Sequence, residues 1–334
     1  MNSIIITSIF SPTDAVKKFA RLKNYKLILV GDNKTPVSWN HPGVQYLSVT
    51  EQQQLNFNLA AVLPYNHYCR KMLGYLKAIE QNATIIIDTD DDNIPKKSWA
   101  FPRFDGSFAT VPPGRGFVNM YKLYTKQHIW PRGFPLSKIL EDSSAAPIQA
   151  ELETIPCNVG IWQGLADEDP DVDAIYRLVS NEFCYFEEKP PYVLQAGTMC
   201  PFNSQNTAVR RELFSLLYLP TYVTFRFTDI LRGLVAQPIM WAHGYQLGFL
   251  QATVTQKRNP HNYMTDFELE VPIFLHTEKV IELTRATVTA SASIDDNLYN
   301  TYHKLLKYGI IVQEEMVTLE AWLKDVTMLR HTAL

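Results

Sequence analysis

"IIIDTDDDNIP", residues 85–95, sets a short apolar run against a tight turn carrying Asp88, Asp90, Asp91 and Asp92. The β-branched residues would face both sides of a strand, the pattern of a central strand covered by helices on each face. Just before it, "YNHYCRKMLGYLKAIEQ" (65–81) places Tyr65, Tyr68, Met72, Tyr75, Leu76 and Ile79 at helical spacing, with Asn66, Arg70, Gly74 and Lys77 on a second stripe. Further back the chain reads strand "SIIITSIF", turn "SPTD", helix "AVKKFARLK" and strand "KLILVG". Strands and helices therefore alternate as in an α/β protein with a mostly parallel sheet. Ligands of such open sheets collect beyond the carboxyl ends of the strands, where the acidic turn falls.

Residues 99–160 are rich in Pro and Gly and read as long ordered loops around a site. A helix is expected within "ADEDPDVDAIYRLVS", with Asp169 as N-cap and Pro170 at the first helical position. Another is expected over "NTAVRRELFSLLY", and residues 277–334 read as helices separated by short polar breaks. The expected division is a catalytic domain over 1–275 and a helical extension over 276–334.

With 334 residues, 46% hydrophobic and 19% charged, the chain can bury a large core. A net charge of −3 and a pI near 6.3 lack the basic surplus of a nucleic-acid binder. Cys69, Cys157, Cys184 and Cys200 stand far apart with no CxxC pair, which argues against a zinc module or a disulfide framework. The apolar start "MNSIIITSIF" is too short for a membrane span or a secretory signal, so a soluble, cytoplasmic protein is expected.

Unit charges about 5 Å apart repel by roughly 1 kcal/mol in water and about 3 kcal/mol at an effective dielectric near 20. A cluster of four carboxylates therefore calls for a cation. Mg²⁺ and Mn²⁺ take one or two protein carboxylates while phosphate oxygens complete the shell, so the turn suits a metal-diphosphate complex. Other readings are open. Asp88, Asp90 and Asp92 match the start of a calcium loop, but Asn93 stands where its Gly is needed and Trp99 where its last Glu is needed. The turn could also bond only its own backbone, or belong to a two-metal hydrolase, whose multiple His/Asp motifs are absent.

A βαβ start, a helix bearing Arg70 and a strand ending in D-x-D resemble the GT-A fold of nucleotide-sugar glycosyltransferases. "WPRGFPLSK" (130–138), "GIWQGLADEDPDVDAIYRL" (160–178), "CPFNSQNTAVRRELF" (200–214), "RFTDILRG" (226–233) and "GFLQATVTQKRNPHNYMTDFE" (248–268) extend the likeness. Together they resemble the STELLO-like nucleotide-diphospho-sugar transferase family and, more distantly, the reversibly glycosylated polypeptides that include UDP-arabinopyranose mutases. The likeness runs from residue 1 to about 270 and leaves the helical tail outside.

The resemblance implies transfer of a sugar from a UDP- or GDP-linked donor to a glycan or small-molecule hydroxyl, with Mn²⁺ or Mg²⁺ as cofactor. It implies Asp90, Asp91 and Asp92 on the nucleotide, Asp90 beside the ribose, and the metal on Asp90, Asp92 and His261. Thr7, Asp32 and Arg70 would border the nucleotide, with Arg70 on the diphosphate. Asp171, Asp173 and Asn203 would meet the sugar. Asp229 in "RFTDILRG" would be the base of an inverting reaction, kept ionised by Arg226 and Arg232. Arg132 has three readings: phosphate ligand, loop anchor, or the residue that takes up the sugar in mutase chemistry. The mutases carry Gly-Met before their Asn and a pair of acids where this chain has "CPFNSQNT" and Thr228-Asp229. A silent scaffold for other glycosyltransferases is the non-enzymatic alternative.

Overall fold

The computed structural model describes residues 1–141, 152–258 and 262–332. The N-terminal block runs β1 (Asn2–Thr7), α1 (Asp14–Phe19), β2 (Tyr25–Val30), β3 (Val44–Leu47), α2 (Val49–Gln53), α3 (Asn58–Val62), α4 (Lys71–Glu80) and β4 (Ile85–Thr89). Its four strands are parallel in the order β3-β2-β1-β4. β1 and β4 are apolar on both faces because helices cover both. The α/β expectation is met.

α4 is buried on nearly every side, because the sheet lies beneath it and a C-terminal helix above. Gly74 permits this: a Cβ there would stand 2.6 Å from Ile5 Cγ2 and 2.8 Å from Val30 Cγ2. Of the second stripe, Arg70 and Gly74 thus face inward, while Asn66 is exposed and Lys77 lies at the outer face. The helix also starts later than the spacing predicts, since Asn66 has φ of 59° and Tyr68–Arg70 form a 3₁₀ turn.

The second half adds β5 (Asn93–Pro95), β6 (Asp105–Val111), β7 (Gly116–Phe117), β8 (Glu153–Asp167), α5 (Ala174–Val179), β9 (Tyr192–Leu194), β10 (Thr198–Met199), β11 (Asn206–Arg210), α6 (Thr228–Ala242) and β12 (Gln246–Gln256). β11 pairs antiparallel with β4 and β8, making the large sheet mixed. "NTAVR" is expected to be helical from the sequence; it is instead a strand buried on both faces and paired on both sides, with β4 and β8, and a 3₁₀ helix, Arg211–Leu217, follows. β5 pairs with the end of β12, so the acidic turn bridges two parts of the sheet. The expected helix near 170 begins only at Ala174, and its N-cap is Asp173 rather than Asp169.

The tail is helical, as expected: α7 (Tyr263–Thr287), α8 (Ile294–Lys307) and α9 (Gln313–Thr332). α7 starts ahead of the predicted position and runs unbroken through 275. α9 packs on α3 and α4 and supplies two buried carboxylates. Asp325 accepts from the backbone N–H groups of Asn58 (2.9 Å) and Leu59 (2.8 Å), capping α3. Glu315 accepts from Thr221 N (2.9 Å) and Tyr222 N (2.7 Å) in the segment before α6. Among the described residues no helix is long and apolar enough to cross a membrane.

Candidate active site

At the end of β4 the crowded acids have cations from within the chain. Lys71, at the start of α4, is fully buried, and its Nζ donates to Asp88 Oδ1, Thr89 O and Asp90 Oδ1, each at 2.8 Å. Burial alone would lower the ammonium's pKa, but Asp88 and Asp90 outweigh it and hold it above the ordinary lysine range. Arg232 of α6 donates to Asp88 Oδ2 at 2.8 Å. Asp88 is therefore spent on holding α4, β4 and α6 together, in keeping with its place at a strand end. Sequence reasoning missed Lys71; the signal was a lysine one turn before Tyr75, on a helix feeding an acidic strand end.

What these cations leave over is the outer turn. Asp91 accepts from the Ser8 hydroxyl, and its carbonyl accepts from Thr13 Oγ1. Asp92 Oδ2 accepts from Gln256 Nε2 at 3.2 Å, while Asp92 Oδ1 is buried without a partner. Desolvation, then neighbouring charge, pushes Asp90 and Asp91 up to about 6; burial also raises Asp92.

The turn opens on a cavity of about 230 Å³ lined by Asp90, Asp91, Asp92, Arg132, Asp229 and Arg258, among others. Two distant motifs meet there. Gly133, with φ of 89°, lets "PRGFP" turn against α6, where a Cβ would press within 2.6 Å of Ile230 Cγ2. This seats Arg132 beside Asp171 and Asp229. Its Nε and Nη2 grip Asp171 at 2.8 Å each, its Nη2 also reaches both Asp229 oxygens at 3.1 Å, and its Nη1 donates to the Arg226 carbonyl. Burial would raise the Asp171 carboxyl, but Arg132 outweighs it and holds it below the usual range. All three guanidinium nitrogens of Arg132 are thus engaged and the side chain is 5% exposed, which fits the anchor reading.

Asp229 faces the cavity with Oδ2 held by Ser204 N and Oγ, and among the described residues Oδ1 accepts only from Arg132. The arginines expected to flank it serve elsewhere: Arg226 pairs with Glu270 (2.7 Å) and Arg232 with Asp88. The guanidinium that contacts Asp229 is that of Arg132.

A second cavity, about 310 Å³, adjoins the first, and both are lined by Thr7, Tyr68, Asp91 and Phe225. It adds Ser8, Asp32 and His67. Asp32 lies there as expected, its carboxylate accepting from Asn33 N (2.8 Å) and His67 N (3.1 Å). The rings of Tyr68 and Phe225 meet edge to face, 4.6 Å apart, at the junction.

Three expected ligands are engaged elsewhere. Arg70 borders the second cavity, yet its Nε is bonded to Gln52 Oε1 (2.7 Å) and its Nη1 to Leu63 O (3.1 Å). Asp173 is fully buried, accepts from Tyr176 N and Trp130 Nε1 (2.9 and 2.6 Å), and is pushed up to about 6 by that burial. It caps α5 and lines neither cavity. Asn203 donates its amide N–H to Asp171 at 2.8 Å, and its side-chain oxygen accepts from Gln205 N. His261 lies outside the described residues.

The fit to a divalent ion rests on two carboxylates. Asp92 Oδ1 is orphaned, and Asp90 Oδ2 carries no hydrogen bond among the described residues. No cluster of three or more His, Cys, Asp or Glu suited to a metal occurs among the described residues. Two carboxylate oxygens match what a phosphate-bound Mg²⁺ or Mn²⁺ takes from protein.

The site thus sets an acidic turn at the strand ends, with a carboxylate and an arginine lining the same cavity. Residues 226–333 match the family model of the STELLO glycosyltransferases. That match includes α7, α8 and α9, which the sequence resemblance had left outside. Probable glycosyltransferase STELLO2 of Arabidopsis thaliana is 26% identical over 98% of this chain and 45% of its own length. Probable glycosyltransferase STELLO1 of the same plant is 25% identical over 96% of this chain and 44% of its own. The chain spans about half the length of these curated relatives.

Proposed function

We propose that this chain is a glycosyltransferase that takes a nucleoside-diphosphate sugar in the two joined cavities and passes the sugar to an acceptor hydroxyl. One observation carries this: Asp91 of the acidic turn lines both cavities, with Asp90, Asp92 and Asp229 in one and Asp32 in the other. The nucleoside occupies the larger cavity beside Thr7, Asp32 and Tyr68. The diphosphate lies over the turn, and the sugar points toward Asp229.

Asp90 and Asp92 would hold a Mn²⁺ or Mg²⁺ ion, whose chemistry there is to offset charge on the diphosphate. Asp229 Oδ1, the oxygen with the lighter hydrogen-bond load, takes the proton of the attacking hydroxyl. Arg132 orients Asp229 and, through Asp171, ties it to the loop before α5. A single base opposite the leaving group makes the transfer inverting. Mutase chemistry through Arg132 would require that side chain to abandon Asp171, Asp229 and the Arg226 carbonyl together.

The test is thermal unfolding with UDP or GDP, each with and without Mn²⁺. Binding at 100 times Kd adds about 2.7 kcal/mol of stability. A metal-dependent rise in Tm with one nucleotide, lost in Asp92→Asn, is expected; no rise with either defeats the proposal.

A further inference from the structure

Among the described residues, most cations near the acidic cleft are committed, Lys257 to Glu168 among them. Lys71 is spent on Asp88, Thr89 and Asp90; Arg132 on Asp171 and Asp229; Arg226 on Glu270; Arg232 on Asp88. Arg258 differs. It lines the same cavity as Asp92 and Asp229, and its side chain is 7% exposed. Its nearest carboxylate is Asp169, at 3.7 Å from Nη1, and that oxygen is already closer to Arg177. Its Nε is buried with no hydrogen-bond partner. A buried guanidinium left so thinly paired is costly unless an anion joins it.

The backbone fixes where that anion must sit. Lys257 N donates to the Asp92 carbonyl at 3.0 Å, and Gln256 pairs with Asn93 where β12 meets β5. Arg258 is thereby tied one residue beyond the acidic turn, near enough for its charge to act on Asp92 and on Asp171. A planar five-donor group beside a carboxylate with an orphaned oxygen forms the two halves of a diphosphate site: a cation for the phosphate oxygens, and a carboxylate for their counter-ion.

We infer that Arg258 is a catalytic residue that grips the diphosphate of the sugar nucleotide and stabilises the nucleoside diphosphate as it leaves. This rests on the cleft reading given above. In the transfer, the bond between the sugar's anomeric carbon and the diphosphate oxygen breaks with its electron pair going to oxygen. The acceptor oxygen bonds to that carbon, and its proton passes to Asp229. Arg258 receives the charge that gathers on the departing oxygens.

The experiment compares affinities for UDP and UMP, or GDP and GMP, by calorimetry in Mn²⁺ buffer for wild type, Arg258→Met, Arg258→Lys and Asp169→Asn. Wild type should prefer the diphosphate. Arg258→Met should weaken diphosphate binding roughly 10- to 100-fold, the weight of a charged hydrogen bond, and erase most of the preference. Arg258→Lys should keep part of it, and carries the test if the Met variant fails to fold. Asp169→Asn, which removes only the structural partner, should leave the preference intact. A diphosphate preference unchanged in both Arg258 variants overturns the inference while leaving the cleft reading standing. A wild type that binds no nucleotide overturns both.

Discussion

Replacing Lys71 by Met tests whether the turn is held by the chain's own charge. The ammonium makes 2.8 Å contacts with two carboxylates in a place water does not reach. At an effective dielectric near 20, each such contact is worth about 6 kcal/mol of gross attraction, much of it offset by desolvation of the three ions. Removing the lysine leaves Asp88 with Arg232 alone and Asp90 with no cation, and breaking a buried pair in this way costs about 3–5 kcal/mol. Since a domain's total stability is roughly 5–15 kcal/mol, the denaturation midpoint should fall steeply in urea. Lys77→Met is the control. It removes the Lys77–Glu80 pair on the outer face of the same helix, where Glu80 is 41% exposed, and such pairs are worth about 0–1 kcal/mol. Should the two variants unfold at the same urea concentration, the claim that Lys71 neutralises the turn is refuted.

Asp229→Asn should keep nucleotide affinity within about threefold and lower kcat by about 10²- to 10⁴-fold, the range of general-base loss; a collapse of binding would give Asp229 another job. Asp173→Asn turns an amide N–H toward Trp130 Nε1 and should cost about 1–2 kcal/mol of stability, read by urea unfolding, with nucleotide affinity unchanged. Asp90 and Asp91 sit at about 6 against an ordinary 3.8, so the folded chain holds protons there that the unfolded chain has lost. Their contribution to unliganded stability therefore grows as pH falls through 6 and is complete near 4, while nucleotide binding with Mn²⁺ strengthens as pH rises through 6. Calorimetry at pH 5 and 7.5 checks this; equal affinities would contradict it.

The N-terminal sheet was readable because β1 and β4 are apolar on both faces and end in polar turns, a pattern only a covered central strand produces. Asp90, Asp91, Asp92 and Asp229 were legible through charge crowding and motif likeness, and they do share a cavity. Their partners were not. Lys71 lies 17 residues from Asp88, and Arg232 lies 144 away, separations over which no local pattern speaks. Asp171 and Asp173 look alike in "PDVDA", yet one pairs with Arg132 and the other caps a helix; only the turn between β8 and α5 distinguishes them. "NTAVRRELF" fits a helical period and a strand period equally, and antiparallel pairing with β4 decided between them.

The last helix ties together two segments that lead toward the cavities. Glu315 and Asp325, ten residues apart on α9, are separated by about 15 Å along its axis. One anchors the segment leading to Phe225, the other the start of α3 on the side leading to His67 and Tyr68. A rod of fixed length thus holds these two segments at a set separation. Inserting a single residue between the anchors would shift one by about 1.5 Å and turn it by about 100°, unfastening one of these segments. The rod should therefore tolerate substitution along its outer face far better than any change of length.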